Sequence, residues 1–290
     1  MKICRFNFDR IGVVQDDLVF DVTDLFDRTL AWPAPAGDAV IAQLGVVRKH
    51  IEAALPGITP RPLSGVRLDS PVANPGKIIG APVNYHAHID EANKDPEINK
   101  GKTFTTLEAY GLFLKASSSL IGPADEIRSA FAERRTDHEV ELGVVIGREA
   151  RHVSVDDALD YVAGYTIALD MTVRGGEVPS YRKSPDTYSV LGPWLVTPDE
   201  IGDPDALDLR LHVNEELRQD ANTSLLILNV RRVIAYASAL YTLHPGDVIM
   251  TGTPAGVGPV QPGDLLTAFV ENIGELSIRV AKRFADQKEA

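Results

Sequence analysis

The sequence predicts an α+β fold that is mostly β-structure, with a small N-terminal α+β domain over residues 1–70 and a larger β-rich domain over residues 71–290. Three observations lead to this prediction. The 290 residues lie near the upper limit of a single compact core. Short apolar runs typical of strands recur along the chain, whereas long helical patterns are few. Proline and glycine crowd residues 56–76, a density that is typical of a linker.

The N-terminal part begins with alternating apolar and polar residues over 3–6, 11–14 and 18–22, which predict three short strands. Residues 38–55 then place apolar side chains at helical spacing, and Asp38 stands where a helix N-cap is expected. Together these elements predict a small α+β unit, and the boundary is expected near residue 70.

The second part contains further strand-like runs at 77–80, 140–146, 162–169, 194–197, 207–213, 247–251, 265–270 and 276–280. Only residues 156–161 and 230–243 have a helical pattern of any length. This distribution favours a β-rich domain over an alternating βαβ fold. Residues 84–103 are too polar for a core, and we expect a short helix followed by a mobile loop that acts as a lid.

Composition narrows the classes of function. Lys and Arg number 29 against 41 Asp and Glu, giving a net charge of −12, which opposes binding to nucleic acid and to anionic membranes. An anionic substrate would therefore need a local cluster of cations or a metal ion. The single cysteine, Cys4, forms no internal disulfide, and no apolar run reaches the length of a membrane span, so a cytoplasmic protein is expected.

An acidic cluster is the first candidate site. If residues 137–141 are extended, Asp137, Glu139 and Glu141 share one face, and each close pair of charges repels by about 3 kcal/mol. Exposure to water would relieve this repulsion, and that alternative stays open. Asp170, however, ends a second apolar run at 161–169. Two strands that end in acids can form an oxygen-ligand site for Mg²⁺, Mn²⁺ or Ca²⁺.

Several ordered motifs carry a family resemblance. They are residues 84–91, 138–142, 169–174, 182–187, 191–194, 222–224 and 245–258. Residues 77–280 resemble the catalytic domain of the fumarylacetoacetate hydrolase family. The resemblance implies a mixed β-roll catalytic domain and a homodimer. The sequence departs from the family pattern at Ala116, Leu169 and residues 175–177, and the last departure puts substrate contacts of that loop in doubt.

The resemblance also implies residue roles. Glu139, Glu141 and Asp170 are the implied ligands of Mg²⁺ or Mn²⁺, and His88 with Glu91 is the implied proton-transfer dyad. A spacing of three residues on a helix independently allows the imidazole to contact the carboxylate. Lys183 is the implied catalytic cation. The implied substrate-binding residues are Tyr85, Lys115, Arg174 and Thr253.

The resemblance implies a metal-dependent hydrolase that cleaves a C–C bond of an anionic 2,4-dioxo acid, an acylpyruvate such as fumarylpyruvate or maleylpyruvate, and releases pyruvate. Such a reaction belongs to the catabolism of aromatic compounds. Oxaloacetate decarboxylation and isomerisation of 2-hydroxyhepta-2,4-diene-1,7-dioate use the same enolate chemistry and stay open. A non-catalytic metal-binding member of the family and an acidic structural β-domain are the remaining alternatives.

Overall fold

The computed structural model describes residues 1–29 and 32–283. Residues 284–290 of the predicted second domain, like residues 30 and 31, lie outside these ranges. The N-terminal elements match the predicted pattern. They are β1 (Lys2–Phe6), β2 (Arg10–Gln15), β3 (Leu18–Asp21), α1 (Ala39–Ala54), β4 (Arg61–Pro62) and β5 (Leu68–Asp69). The Asp38 carboxylate caps α1 by accepting from the backbone N–H groups of Val40 and Ile41, as expected.

The following segment holds β6 (Ile78–Gly80), α2 (His86–Lys94), α3 (Pro96–Asn99), α4 (Leu107–Tyr110), β7 (Phe113–Lys115), β8 (Leu120–Ile121), β9 (Glu126–Arg128), β10 (Thr136–His138), β11 (Val140–Ile146), β12 (Val162–Asp170) and β13 (Thr172–Val173). The helix predicted at 156–161 is wrong: residues Ala158–Tyr161 form only a single 3₁₀ turn, because its C-cap, Val162, is already extended and starts β12. The polar segment 84–103 contains α2 and then the short α3.

The last part holds α5 (Pro179–Lys183), β14 (Ser189–Val196), α6 (Pro198–Ile201), β15 (Asp208–Val213), β16 (Glu216–Asn222), α7 (Val230–Leu240), β17 (Val248–Met250), β18 (Gly258–Pro259), β19 (Leu265–Val270) and β20 (Gly274–Ala281). Helix α7 ends three residues earlier than predicted, because Tyr241 is extended. Over the described ranges, no helix combines the length and the apolar character that crossing a bilayer requires.

The strands form one large mixed sheet in the order β4-β3-β2-β1-β14-β12-β11-β17-β6-β7, with β5 on β1 and β8 on β14. A second sheet has the order β16-β15-β19-β20-β9, and a small third sheet has the order β13-β10-β18. Because β1 pairs with β14, the N-terminal strands extend the large sheet. The predicted boundary near residue 70 therefore lies within one continuous sheet, and the division into two domains stays a prediction.

Both faces of the large sheet are covered. On one face, the apolar side of α1, with Ile41 and Ile51, packs in a core with Val145 of β11 and Val248 of β17. On the other face, Leu142 of β11 shares a core with the second sheet and α7. Strand β11 is consequently buried along its whole length, which matches its nearly continuous apolar sequence. This double cover fixes the strand ends that carry the acidic residues.

Candidate metal and catalytic site

The acidic residues meet where β11 begins and β12 ends. Antiparallel pairing of these strands places Glu141 opposite Ala168, and the backbone N–H of Asp170 donates to the carbonyl of Glu139, 2.9 Å away. One carboxylate oxygen each of Glu139, Glu141 and Asp170 lies within 4.8 Å of the others, and all three residues are buried. The structure therefore brings together the three metal ligands that the family resemblance implies. Exposure to water, the open alternative, does not apply to this cluster.

Asp137 does not join this triad. Its Oδ1 accepts from Arg135 Nε at 2.6 Å and its Oδ2 accepts from Arg174 Nε at 2.7 Å. Both carboxylate oxygens are thus occupied by guanidinium groups. Asp137 was predicted to share a strand face with Glu139 and Glu141. It lies beside the triad and holds Arg174 there.

Two buried lysines contact the triad. Lys183 Nζ donates to Glu139 Oε2 at 2.6 Å and to Asp170 Oδ2 at 2.7 Å, and Lys115 Nζ donates to the other oxygen of Asp170. Burial lowers the pKa of Lys115, and the nearby Lys183 lowers it further. For Lys183 burial acts in the same direction, but the charges of Asp170 and Glu139 outweigh it and raise the pKa. Lys115 lies behind Asp170, and its predicted contact with substrate stays a prediction.

The three carboxylates have unequal environments. Burial opposes ionisation of Glu139, but Lys183 and Arg174 outweigh it and lower its pKa. Glu141 has no ion pair with any residue that the structure describes, and its hydrogen bond comes from the backbone N–H of Gly252 at 2.6 Å. Burial and the charges of Asp170 and Glu139 raise the pKa of Glu141 well above its ordinary value. A buried acid in this setting fits a hard cation, because a bound dication would balance its charge.

The predicted dyad lies on α2 above the triad. His88 Nδ1 is 3.2 Å from Glu91 Oε2, and the His88 ring lines the same cavity as the three carboxylates. The geometry confirms that residues three positions apart on α2 make contact. The Glu91 Oε1 atom accepts from the backbone N–H of Gly256 at 2.9 Å. Glu91 therefore connects α2 to the loop of residues 251–258.

That loop supplies backbone donors because it contains glycines at unusual angles. Gly252 has φ +102° and Gly256 has φ +97°, and a Cβ atom at Gly256 would overlap the carbonyl of Arg218. The Thr253 hydroxyl lines the cavity but donates to Val140 O at 2.9 Å. Its single proton is thus used within the protein, and its predicted bond to substrate stays a prediction.

Tyr85 lies outside the cavity wall. Its side chain is buried, and its hydroxyl has no hydrogen-bond partner among the described residues. Burial raises the pKa of Tyr85, and the negative charge of Glu141 adds to this effect. The predicted role of Tyr85 in substrate binding stays a prediction.

Sequence reasoning missed two residues that the structure connects to the site. Gln219 of β16 donates to Thr253 Oγ1 at 2.8 Å and accepts from the Val140 N–H at 3.0 Å, so it holds the loop against β11. Arg182 of α5 lines the cavity. The motif 182–187 contains Arg182, but the motif alone does not indicate that its side chain faces the site. The cavity wall consists of Ala81, Pro82, Val83, His88, Ala92, Ile98, Phe104, Tyr110, Phe113, Glu139, Glu141, Asp170, Arg174, Pro179, Arg182, Lys183 and Thr253.

Comparison with known proteins shows the family of the chain. The model of the fumarylacetoacetate (FAA) hydrolase C-terminal region matches residues 77–281. The chain therefore belongs to the fumarylacetoacetate hydrolase family, as its motifs predict. Maleylpyruvate hydrolase from Aquipseudomonas alcaligenes is 52% identical over 284 residues, which cover 97% of this chain and 99% of that protein. 2,4-Didehydro-3-deoxy-L-rhamnonate hydrolase from Sphingomonas sp. strain SKA58 is 37% identical over 290 residues, covering 94% of each chain.

The fold is also found in a solved structure. Maleylpyruvate hydrolase from Sphingobium sp. SYK-6, solved in complex with a manganese(II) ion and pyruvate, superposes with a TM-score of 0.84 at 42% identity. The match covers 98% of this chain and 100% of that chain. The predicted fold class, mostly β with the fold of this family, is confirmed.

Proposed function

We propose that this chain is a divalent-metal-dependent hydrolase that cleaves a C–C bond of an acylpyruvate, such as maleylpyruvate or fumarylpyruvate, and releases pyruvate. One observation carries the proposal: the buried triad of Glu139, Glu141 and Asp170 faces the same cavity as His88, whose imidazole contacts Glu91. The similarity to two maleylpyruvate hydrolases, one of them solved with manganese and pyruvate, supports it.

The triad would hold Mg²⁺ or Mn²⁺. Carboxylate oxygens are hard ligands, and three of them leave room on an octahedral ion for substrate oxygens. When bound, the dication supplies Lewis-acid chemistry to the 2-oxo acid end of the substrate. Lys183 and Arg174, which line the same cavity, offset the charges of Glu139 and Asp170, so that with a bound dication the site would not repel an anionic ligand.

The dyad would activate water. Glu91 accepts the Nδ1 proton of His88, which leaves Nε2 as a free base. His88 Nε2 takes a proton from water while the water oxygen bonds to C4 of the substrate. The C3–C4 bond then breaks, its electron pair passes to the pyruvate fragment, and C3 takes up a proton. Lys183 would act in catalysis by stabilising the negative charge that develops on this fragment.

Pyruvate release from a panel of substrates, with the change in ultraviolet absorbance of the dienedioate as the readout of isomerisation, tests the proposal. The purified protein is assayed with maleylpyruvate, fumarylpyruvate, oxaloacetate and 2-hydroxyhepta-2,4-diene-1,7-dioate, with Mg²⁺ or Mn²⁺ and with a chelator. We expect turnover of the acylpyruvates that is lost with the chelator. If only oxaloacetate is turned over, the activity is decarboxylation and not hydrolysis. If only the dienedioate is turned over, the activity is isomerisation. Metal binding without turnover of any compound would indicate a non-catalytic member of the family.

The same proposal includes a homodimer that works in the cytoplasm. The family resemblance supports the dimer, and a buried cysteine without a disulfide fits a reducing compartment. Sedimentation velocity of the purified chain is expected to give the mass of a dimer. A monomer at all protein concentrations would contradict the assembly and leave the proposed chemistry unaffected.

A further inference from the structure

Arg182 differs from the other cations of the cavity. Arg174 is neutralised by Asp137 and Glu139, and Lys183 is neutralised by Glu139 and Asp170. Arg182 also lines the cavity, yet it forms no ion pair with any residue in the described ranges. The cavity therefore contains a guanidinium group without an ion-pair partner in the described part of the chain.

One nitrogen of this guanidinium group is held by a hydrogen bond within the protein. Arg182 lies in α5, and its Nε donates to the backbone carbonyl of Glu177 at 2.9 Å. Its Nη1 and Nη2 atoms have no hydrogen-bond partner among the described residues. Burial lowers the pKa of Arg182, and the nearby Arg174 lowers it further, so an anion at this place would be stabilised. The two free amino groups form a fork that fits a carboxylate.

Glu177, whose backbone carbonyl accepts from Arg182, has its carboxylate held by another arginine. The Glu177 carboxylate makes a two-point ion pair with Arg134, at 3.1 Å from Nη1 and 2.8 Å from Nη2. Arg134 also donates to the Arg174 carbonyl through Nε and Nη2. A Cβ atom at Gly175 would overlap the Arg134 guanidinium, so this ion pair requires glycine there. Glycine at position 175 and an acid at position 177, two of the departures from the family pattern, thus allow this ion pair to form beside Arg182.

We propose that Arg182 binds a second carboxylate of the substrate and makes the chain selective for 2-oxo dicarboxylates. The inference rests on the proposed function, which places the 2-oxo acid end of the substrate at the triad. Maleylpyruvate and fumarylpyruvate carry their other carboxylate at the far end of an unsaturated chain. The remaining wall of the cavity is mostly apolar, with Ile98, Phe104, Phe113 and Pro179, and suits such a chain.

A matched pair of acids tests this selectivity without requiring turnover. 2-Oxoheptanedioate and 2-oxoheptanoate have the same length, lack the C4 oxo group, and differ in the terminal carboxylate. Their dissociation constants are measured by calorimetry with the Mg²⁺-loaded wild type and with Arg182→Gln, Arg182→Lys and Arg61→Gln. Arg61 is exposed on β4, so its replacement removes the same charge away from the cavity. Melting curves check that each variant is folded.

We expect the wild type and Arg61→Gln to prefer the dioate at least about 10-fold, because a charge-assisted two-point contact is lost with the monoate. Arg182→Gln is expected to abolish the preference without changing the affinity for the monoate, and Arg182→Lys to retain part of it. A wild type that binds both acids equally, or neither, overturns the inference, as does a preference that persists in Arg182→Gln. If the preference follows Arg182 but no acylpyruvate is hydrolysed, the proposed function fails and the binding site stands.

Discussion

The Glu91 carboxylate of α2 accepts a hydrogen bond of 2.9 Å from the backbone N–H of Gly256. The bond joins the helix that carries His88 to the loop that contacts Glu141 through Gly252. The partner of the proposed general base and one proposed metal ligand are thus both held by the same short loop. A change in this loop is expected to affect the dyad and the triad together.

Gly256→Ala is predicted to destabilise the protein and to lower kcat. Gly256 has φ +97°, which costs a residue with a side chain about 1–3 kcal/mol, and its Cβ would also overlap the Arg218 carbonyl. Gly263 is the control, because it has φ +105° but a Cβ atom there would meet no other atom within 4 Å. We expect a larger loss of unfolding free energy in urea for Gly256→Ala than for Gly263→Ala. Equal losses would contradict the predicted overlap.

Glu91→Gln is predicted to lower kcat by about 10²- to 10⁴-fold while leaving metal affinity unchanged. The amide oxygen can still accept from Gly256, but the amide nitrogen then donates to His88 Nδ1. The imidazole must consequently carry its proton on Nε2, where it cannot act as a base. Asp90→Asn is the control, since it removes the same charge from an exposed position on α2. Steady-state kinetics with wild-type activity for Glu91→Gln would exclude the dyad from the mechanism.

Lys183→Met is predicted to lower the Tm of the metal-free protein and to increase the rise in Tm on adding Mn²⁺. Lys183 is the cation that bridges Glu139 and Asp170, and removing one partner from a buried ion pair costs about 3–5 kcal/mol. A dication at the triad would balance the same charges. Lys77→Met removes the partner of the buried Asp247 outside the triad, and serves as control. Identical Mn²⁺ effects in both variants would contradict the prediction.

Cys4 is predicted to resist alkylation in the folded protein. Burial raises the pKa of its thiol to about 12, whereas an unfolded thiol ionises near a pH of about 8.5. Below that pH the thiol is protonated in both states, and the contribution to stability is complete. As the pH rises towards about 12 only the unfolded state releases the proton, so stability falls. Iodoacetamide labelling at a pH of about 8.5 is expected only after denaturation, and rapid labelling of the native protein would contradict this assignment.

Local sequence patterns predicted the parts of the site that lie at strand ends. Asp170 and Glu141 could be predicted as site residues from the sequence, because an apolar run that ends or begins with an acid indicates where a buried strand meets a cavity. The cap of α1 by Asp38 was also predictable, because the contact is made within three residues. These features depend on neighbouring positions in the chain.

Contacts between distant segments were not predictable in this way. The pairing of β1 with β14 joins residues almost two hundred positions apart, so the extension of the large sheet has no local signal. The Glu177 carboxylate pairs with Arg134, which precedes it by 43 positions. Gln219 contacts Thr253 and Val140 only because the second sheet packs beside β11. Each of these outcomes is decided by tertiary packing.

Binding of Mn²⁺ to wild type and to Glu141→Gln, measured by calorimetry, tests the central claim most directly. Glu141 is the proposed ligand that has no ion pair in the described part of the chain, so its charge is expected to be needed for the metal. We predict one Mn²⁺ per chain in the wild type and in the exposed control Glu52→Gln, and at least about 10-fold weaker binding in Glu141→Gln. Unchanged Mn²⁺ affinity in Glu141→Gln would contradict the account.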